Sequence, residues 1–459
     1  MTHCAQKTRC ARLLVAVSLV AVALFLTSMV TCRQPVELST TELFSHYVLP
    51  TYARFPLYLA RGKGSYVWDE EGREYLDFGA GIAVSSVGHS HPRIINSLIQ
   101  QAEKLTHTSN LYYTREQGLL AQRIVELIEQ PGRVFFCNSG AEANEGLYKL
   151  ARKFGNESSA PGRYEIITFE NSFHGRTLAG ISATGQDKVK KGFEPLTPGF
   201  RHARFNDLDS VQHTITPNTA AILLEPIQGE SGIIQAEPNF LRGLRELCDR
   251  QDLLLMFDEI QCGWGRTGAW CGWKSLTIEA VQPDAVSWAK GMAAGFPMGA
   301  FWVSERAIKL SSGLEPGKLC DLLGPGSHGT TFGGTPLGCA VSLETIKIIE
   351  DENLLSNAQE RGTQLTTALR ELDAPILSQV RGKGLMVGIE LEPTLCNQLN
   401  ASPSKRSPSL QFIDQCQARG LLLVPSGTHR VRFLPPLNVN QSEIVRGVEI
   451  VSKVIDSLS

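Results

Sequence analysis

The sequence predicts an α/β protein, with a mostly parallel sheet covered by helices in a large domain and a smaller α+β domain beside it. Three observations carry this. Apolar strand-like runs alternate with helix-like segments along most of the 459 residues, the pattern of a parallel sheet joined by crossover helices. Several of those runs, AAILLE and LLLMFDE among them, are apolar almost throughout, as strands buried on both faces are. The 42 glycines follow no period, which excludes collagen and fits tight turns between packed elements.

Composition supports a packed enzyme-sized chain. Hydrophobic residues make up 42% and charged residues 20%, enough to bury a core and too apolar for wholesale disorder. Lys plus Arg is 44 and Asp plus Glu is 46, a net charge of −2 with no long basic run, so no nucleic-acid partner is expected. The 11 cysteines form no CxxC pair. Neither a disulfide framework nor a zinc knuckle is indicated, and a reducing, cytoplasmic setting is expected.

Taken in order, residues 1–32 stand apart. Residues 13–32 are uncharged, with Lys7, Arg9 and Arg12 before them and Arg33 after. The length matches a bilayer span and exceeds a usual signal-peptide core. Two readings stand: an N-terminal anchor or export signal, or upstream translation ahead of a start near Met29. Membrane contact is expected only if residues 13–32 are retained.

GSYVWDEEGREYLDFGAG then reads as a hairpin turned at Asp69 to Gly72. VFFCNSGAEANEGLYKLARKFG reads as strand, tight turn and helix. EIITFENSFHG is a strand running into a loop. FLRGLRELCDRQD is an amphipathic helix with Leu241, Leu244, Leu247 and Cys248 on one face. DAVSWAK is a shorter strand. KGLMVGIEL and LLLVPSGTHRVRFLPPL read as strands of the smaller sheet, and SEIVRGVEIVSKVIDSL as a closing helix. The polar stretch between them, from about Glu392 to Ser409, reads as a surface loop. These features divide the chain into 1–32, a first part of the small domain over 33–85, a large domain over 86–335, and the rest of the small domain over 336–459.

Several short segments are candidates for chemistry. Asn138-Ser139-Gly140-Ala141-Glu142-Ala143-Asn144 follows a strand and opens a helix. Its free backbone N–H groups and helix dipole suit a phosphate, and the same residues suit an ordinary N-cap. Asp258 ends LLLMF, at the carboxyl end of a strand where α/β sheets bind ligands. Lys290 follows a short apolar strand and precedes small residues, so partial burial would free its amine for Schiff-base chemistry; a lone lysine is otherwise a solvated charge. Phe173 and Arg176 share a post-strand loop and suit ring stacking and a carboxylate clamp, with His174 between them read as a satisfied structural histidine. The Gly329–Gly334 loop offers the Thr330 and Thr331 hydroxyls. His89-x-His91 has no third and fourth ligand nearby, so no metal site is expected.

Together and in order, these segments resemble the class III, fold-type I pyridoxal-phosphate aminotransferases, and within them the N-acetylornithine branch. The matching text is NSGAEANEGLYKLARK, SFHGRTLAGISATGQ, LLEPIQGESGI, LLMFDEIQCGWGRTG, DAVSWAKGMAAGFPMGA and HGTTFGGTPLGCA, colinear from about Thr41 to the C-terminus. The resemblance implies a seven-stranded sheet in the large domain and pyridoxal 5′-phosphate as cofactor. It implies that Lys290 holds the cofactor and later moves a proton, and that Asp258 keeps the pyridine nitrogen protonated. It gives Ser139, Gly140 and Ala141 to the phosphate, Phe173 to the ring face and Gln261 to the 3-oxygen. Thr331 would reach the cofactor of the neighbouring subunit, making a homodimer with shared active sites.

For substrate, the resemblance implies Arg176 and Arg432 as carboxylate partners and Glu230 as a gate on Arg432. With Glu230 engaged, the pocket loses a positive charge and tolerates a donor without a second carboxylate; with it released, glutamate or 2-oxoglutarate is held at both ends. The implied reaction moves the δ-amino group of N2-acetyl-L-ornithine to 2-oxoglutarate, in arginine biosynthesis. Ornithine, succinylornithine or 4-aminobutyrate as donor, and a non-catalytic cofactor-binding scaffold, are the rivals. Thr330 stands where that branch usually has Ser, and the Glu392–Ser409 stretch is longer than usual.

Overall fold

The computed structural model describes residues 38–458 apart from 159, 278–280, 312–315 and 394–405. The apolar run 13–32 and most of the polar stretch 392–409 lie outside the described residues. The described residues before Leu59 belong to a unit of their own. It carries the helix Thr40–Tyr47, begun by a capping box in which Ser39 and Glu42 satisfy each other's backbone N–H.

From Leu59 onward the centre of the protein is a seven-stranded sheet. Its strands are β1 (Gly132–Cys137), β2 (Glu165–Phe169), β3 (Phe200–Ala203), β4 (Thr219–Leu224), β5 (Leu254–Asp258), β6 (Ala285–Trp288) and β7 (Gly299–Ser304). They lie in the order β1-β7-β6-β5-β4-β2-β3. Only β7 runs antiparallel to its neighbours. Every residue of β2, β4, β5, β6 and β7 is buried, which is why their sequences lack the alternation of a half-exposed strand.

Helix α1 (Gly140–Glu157) shows how that burial is achieved. Leu147, Leu150, Ala151 and Phe154 join one core cluster with Ala221 and Leu223 of β4, Met256 of β5, Ala285 of β6 and Phe301 of β7. The approach is close: a Cβ on Gly146 would sit 2.2 Å from a Phe301 ring carbon. The helix Pro238–Gln251 buries the Leu241, Leu244, Leu247 and Cys248 stripe that its periodicity predicts.

The Asp69 to Gly72 hairpin forms, with Gly72 at φ +82°. Leu59–Lys63 adds a strand on one side of it. LLLVPSGTHRVRFLPPL divides between two sheets rather than lying in one. Leu421–Leu422 pairs parallel with Leu76–Asp77, whereas Val424–Pro425 and Arg430–Phe433 pair with each other in a second four-stranded sheet. Pro425 lacks an N–H, and its strand takes the edge, where that donor is not needed. The opposite edge is Leu377–Lys383, a polar, half-buried strand that apolar patterning does not reveal. Asn440 and Glu443 box the start of the last helix, Gln441–Asp456.

Candidate active site

Asp258 ends β5 and Glu225 directly follows β4. Lys290 lies two residues beyond β6, Ser139 two beyond β1, and Phe173 on the loop after β2. These carboxyl ends share one side of the sheet, because β1 runs parallel to β6 across the reversed β7. A cavity of about 470 Å³ opens there, where the loops of a parallel sheet diverge. Eight residues singled out from the sequence line it: Ser139, Gly140, Ala141, Phe173, Arg176, Asp258, Gln261 and Lys290.

At the phosphate-suited end, Ser139 is the N-cap of α1 and its hydroxyl accepts the Glu142 N–H at 3.2 Å. The capping role and the cavity-lining position therefore coexist in one residue. The N–H groups of the first turn have no acceptor within the helix. Gly140 is needed for packing as well, since a Cβ there would lie 2.7 Å from Ile260 Cδ1.

Asp258 is buried and held from three sides. Its Oδ2 accepts from Asn144 Nδ2 and from His174 Nδ1, both at 2.8 Å, and its Oδ1 accepts the Ile260 N–H at 3.1 Å. His174 departs from the satisfied structural role expected of it: its Nδ1 faces the carboxylate and its Nε2 is buried without a hydrogen-bond partner. Arg176 lies over the Phe173 ring, 5.5 Å from its centre.

Lys290 has φ +45° and opens a short 3₁₀ turn. Ser86 and Ser342 donate to the Gly291 and Met292 carbonyls, each at 2.7 Å, and so fix the turn. Burial lowers the Lys290 amine from its ordinary value; the Arg432 charge adds to this, against the pull of Glu230. An amine depressed in this way is easier to deprotonate and therefore more nucleophilic.

Glu230, Thr330, Thr331 and Arg432 are not among the lining residues. Arg432, fully buried, donates to Glu230 Oε1 at 2.7 Å, to Gln261 Oε1 at 3.1 Å and to the Pro425 carbonyl at 2.9 Å. Gln261 thus joins the pair to the cavity wall. Burial alone would raise the Glu230 carboxyl, but the adjacent Arg432 guanidinium outweighs it and holds the group below the usual carboxylate range. Thr330 accepts from Asn138 Nδ2 at 3.1 Å, whereas Thr331 is exposed.

Sequence reasoning assigned no role to Glu225, Asn144 or the Phe296–Met298 wall. Glu225 accepts the N–H groups of Phe173 at 2.8 Å and Gly229 at 3.1 Å, and burial together with the Asp258 charge pushes it up to about 7. Its signal was a carboxylate directly after a buried strand, the same signal that marked Asp258. Glu259 is buried too, accepts the Trp273 N–H at 2.8 Å, and is raised by burial from 4.5 to about 7. A carboxyl raised in the folded state adds stability below its unfolded value, and that stability is lost as pH rises through the folded value. Glu259→Gln, neutral throughout, should therefore gain stability over the wild type between about pH 5 and about pH 8. Urea midpoints at both ends of that range check this, and an equal difference at both would refute it.

An aminotransferase class-III family model matches residues 47–455. The chain belongs to the class-III aminotransferases. It is 43% identical to an acetylornithine aminotransferase of Synechocystis sp. over 94% of this chain and 96% of that protein. It is 40% identical to one of Methanothermobacter thermautotrophicus, over 91% and 98%. Among solved structures, it superimposes on the ornithine aminotransferase of Toxoplasma gondii ME49 with TM-score 0.82 at 32% identity, over 92% of this chain and 96% of that one. The N-acetylornithine aminotransferase of Stenotrophomonas maltophilia gives 0.72 at 33%, over 88% and 97%. The seven-stranded sheet of this class-III aminotransferase is the fold-type I sheet that the sequence resemblance implied.

Proposed function

We propose that this aminotransferase moves the δ-amino group of N2-acetyl-L-ornithine to 2-oxoglutarate, giving N-acetyl-L-glutamate 5-semialdehyde and L-glutamate. The observation that carries the reading is the Lys290, Asp258 and α1 N-terminus constellation around one cavity, in a chain whose curated relatives act on acetylornithine.

The residues present fit pyridoxal 5′-phosphate. Gly140 and Ala141 offer first-turn N–H groups for its phosphate, beside the Ser139 hydroxyl. Asp258 is held in place by neighbouring donors, with capacity left to accept from a protonated pyridine nitrogen. Phe173 offers a ring face and Gln261 an amide to the 3-oxygen. When bound, the cofactor supplies an electron sink for the carbon that bears the amine.

The chain's own groups do the rest. Lys290 Nζ would hold the cofactor between turnovers, and would carry the proton from the substrate's amine-bearing carbon to C4′ of the cofactor. Arg176 binds the donor's α-carboxylate, and Thr330 adds a hydroxyl contact. Glu230 keeps Arg432 occupied while acetylornithine is bound and releases it to the α-carboxylate of glutamate or 2-oxoglutarate.

The reading includes a homodimer in which Thr331 reaches the cofactor of the neighbouring subunit. Leu111, Tyr112 and Tyr113 are exposed, as is Phe332 beside Thr331, which supports a covered surface there. It also includes a place in arginine biosynthesis and in the cytoplasm. The seven described cysteines are all free, in keeping with a reducing compartment. No helix among the described residues is long and apolar enough to cross a membrane.

The test adds each amine donor alone to the cofactor-loaded protein and follows the visible absorption. Fast conversion with acetylornithine, at least about tenfold slower with ornithine, succinylornithine or 4-aminobutyrate, is expected. A preference for ornithine would move the protein to another step of amine metabolism.

A further inference from the structure

Helix α1 does more than open on the cavity. Asn144 lies four residues after Gly140, on the same helical face and one turn deeper. It is fully buried, and both of its polar side-chain atoms are engaged. Its Nδ2 donates to Asp258 Oδ2 at 2.8 Å and to the His174 carbonyl at 3.1 Å, while its Oδ1 accepts from Ser287 Oγ at 2.7 Å. A flipped amide would turn its oxygen toward the Asp258 carboxylate and the His174 carbonyl, both of which only accept. Those two acceptors therefore set which way the amide points, and Ser287, at the register position on β6 that pairs with Asp258, donates to the oxygen that results.

We propose that Asn144 is a positioning residue for the cofactor's ring nitrogen, acting through Asp258, with Ser287 supporting it through its amide oxygen. The proposal rests on the cofactor reading given above. It makes α1 a ruler with two marks: the first turn fixes the phosphate, and Asn144 fixes the carboxylate at the other end of the same ring. The distance between those marks is one helical turn, set by a regular hydrogen-bonded element rather than by a loop. Asp258 aligned by two donors on Oδ2 cannot swing, so the face it presents to the cavity is constant. The contribution works through the ring nitrogen alone, and this separates it from a general packing role.

The test titrates cofactor-free wild type, Asn144→Ala and Ser287→Ala with two probes, pyridoxal phosphate and 1-deazapyridoxal phosphate, which has carbon in place of the ring nitrogen. Fluorescence quenching of the protein reads binding. Asn144→Ala is expected to bind pyridoxal phosphate about tenfold to hundredfold more weakly, with the deaza analogue changed by less than about twofold. Ser287→Ala is expected to show a smaller loss with the same dependence on the ring nitrogen. Equal losses for both probes, or no loss for either, would overturn the proposal. Should Asn144→Ala fail to fold, Ser287→Ala carries the same comparison: a loss confined to pyridoxal phosphate supports the proposal, and equal losses or none overturn it. Wild-type protein that takes up neither probe would instead overturn the cofactor reading itself, and with it this inference.

Discussion

Lys290→Ala is expected to lower the transamination rate by at least about 10³-fold while the protein still folds and still takes up pyridoxal phosphate. The size of the effect follows from two roles lost together. In the proposed mechanism the amine holds the cofactor between turnovers and moves the proton from the substrate carbon. Its environment supports both: the turn that carries it is fixed by Ser86 and Ser342, and burial lowers its affinity for a proton. The contacts proposed for the phosphate and the ring lie on α1, Asp258 and Phe173, so cofactor uptake should survive. Rapid mixing of each variant with acetylornithine, followed in the visible, measures the rate. A variant within about tenfold of wild type would refute the assignment. Partial rescue by a small primary amine added to the buffer would support the proton-transfer role specifically.

The second large effect is one of choice between substrates. Glu230→Gln should shift the preference for glutamate over acetylornithine by about a hundredfold, through loss with acetylornithine more than gain with glutamate. In the wild type the Glu230 carboxylate neutralises Arg432 at 2.7 Å in a buried setting. The variant leaves a buried cation facing only neutral oxygens, that of the substituted amide and those of Gln261 and Pro425. A substrate with a second carboxylate supplies the missing charge, and one without it leaves the guanidinium unpaired, at a cost of about 2 kcal/mol or more. The two half-reactions, measured separately, give the ratio. Equal falls in both would mean that Glu230 serves packing rather than selection.

The sheet was legible from β4, β5 and β6 because a strand buried on both faces must be apolar along its whole length. The hairpin at Asp69 to Gly72 and the last helix were legible because the patterns that mark them are local. Leu377–Lys383 was not, since a polar edge strand exists only by virtue of its partner Met386–Leu391. The division of Leu421–Leu422 from Val424–Pro425 between two sheets was likewise invisible, because Leu421–Leu422 takes as its partner a strand at Leu76–Asp77, far away along the chain.

Residue order alone carried the chemistry on offer: one lysine among small residues after an apolar strand, one carboxylate at a strand end, and a helix opening on Ser139-Gly140-Ala141. It carried the family as well, because six such segments in a fixed order are far more specific than any one. What holds these groups in place came from packing. Asn144, Ser287 and His174 converge around Asp258 from a helix, a neighbouring strand and a loop, and Gln261 ties the Glu230–Arg432 pair to the cavity wall. The physical reason is range. A cap or an apolar run is set by neighbours within a turn or two, whereas a buried carboxylate is oriented by whichever donors the packed sheet brings within about 3 Å of it.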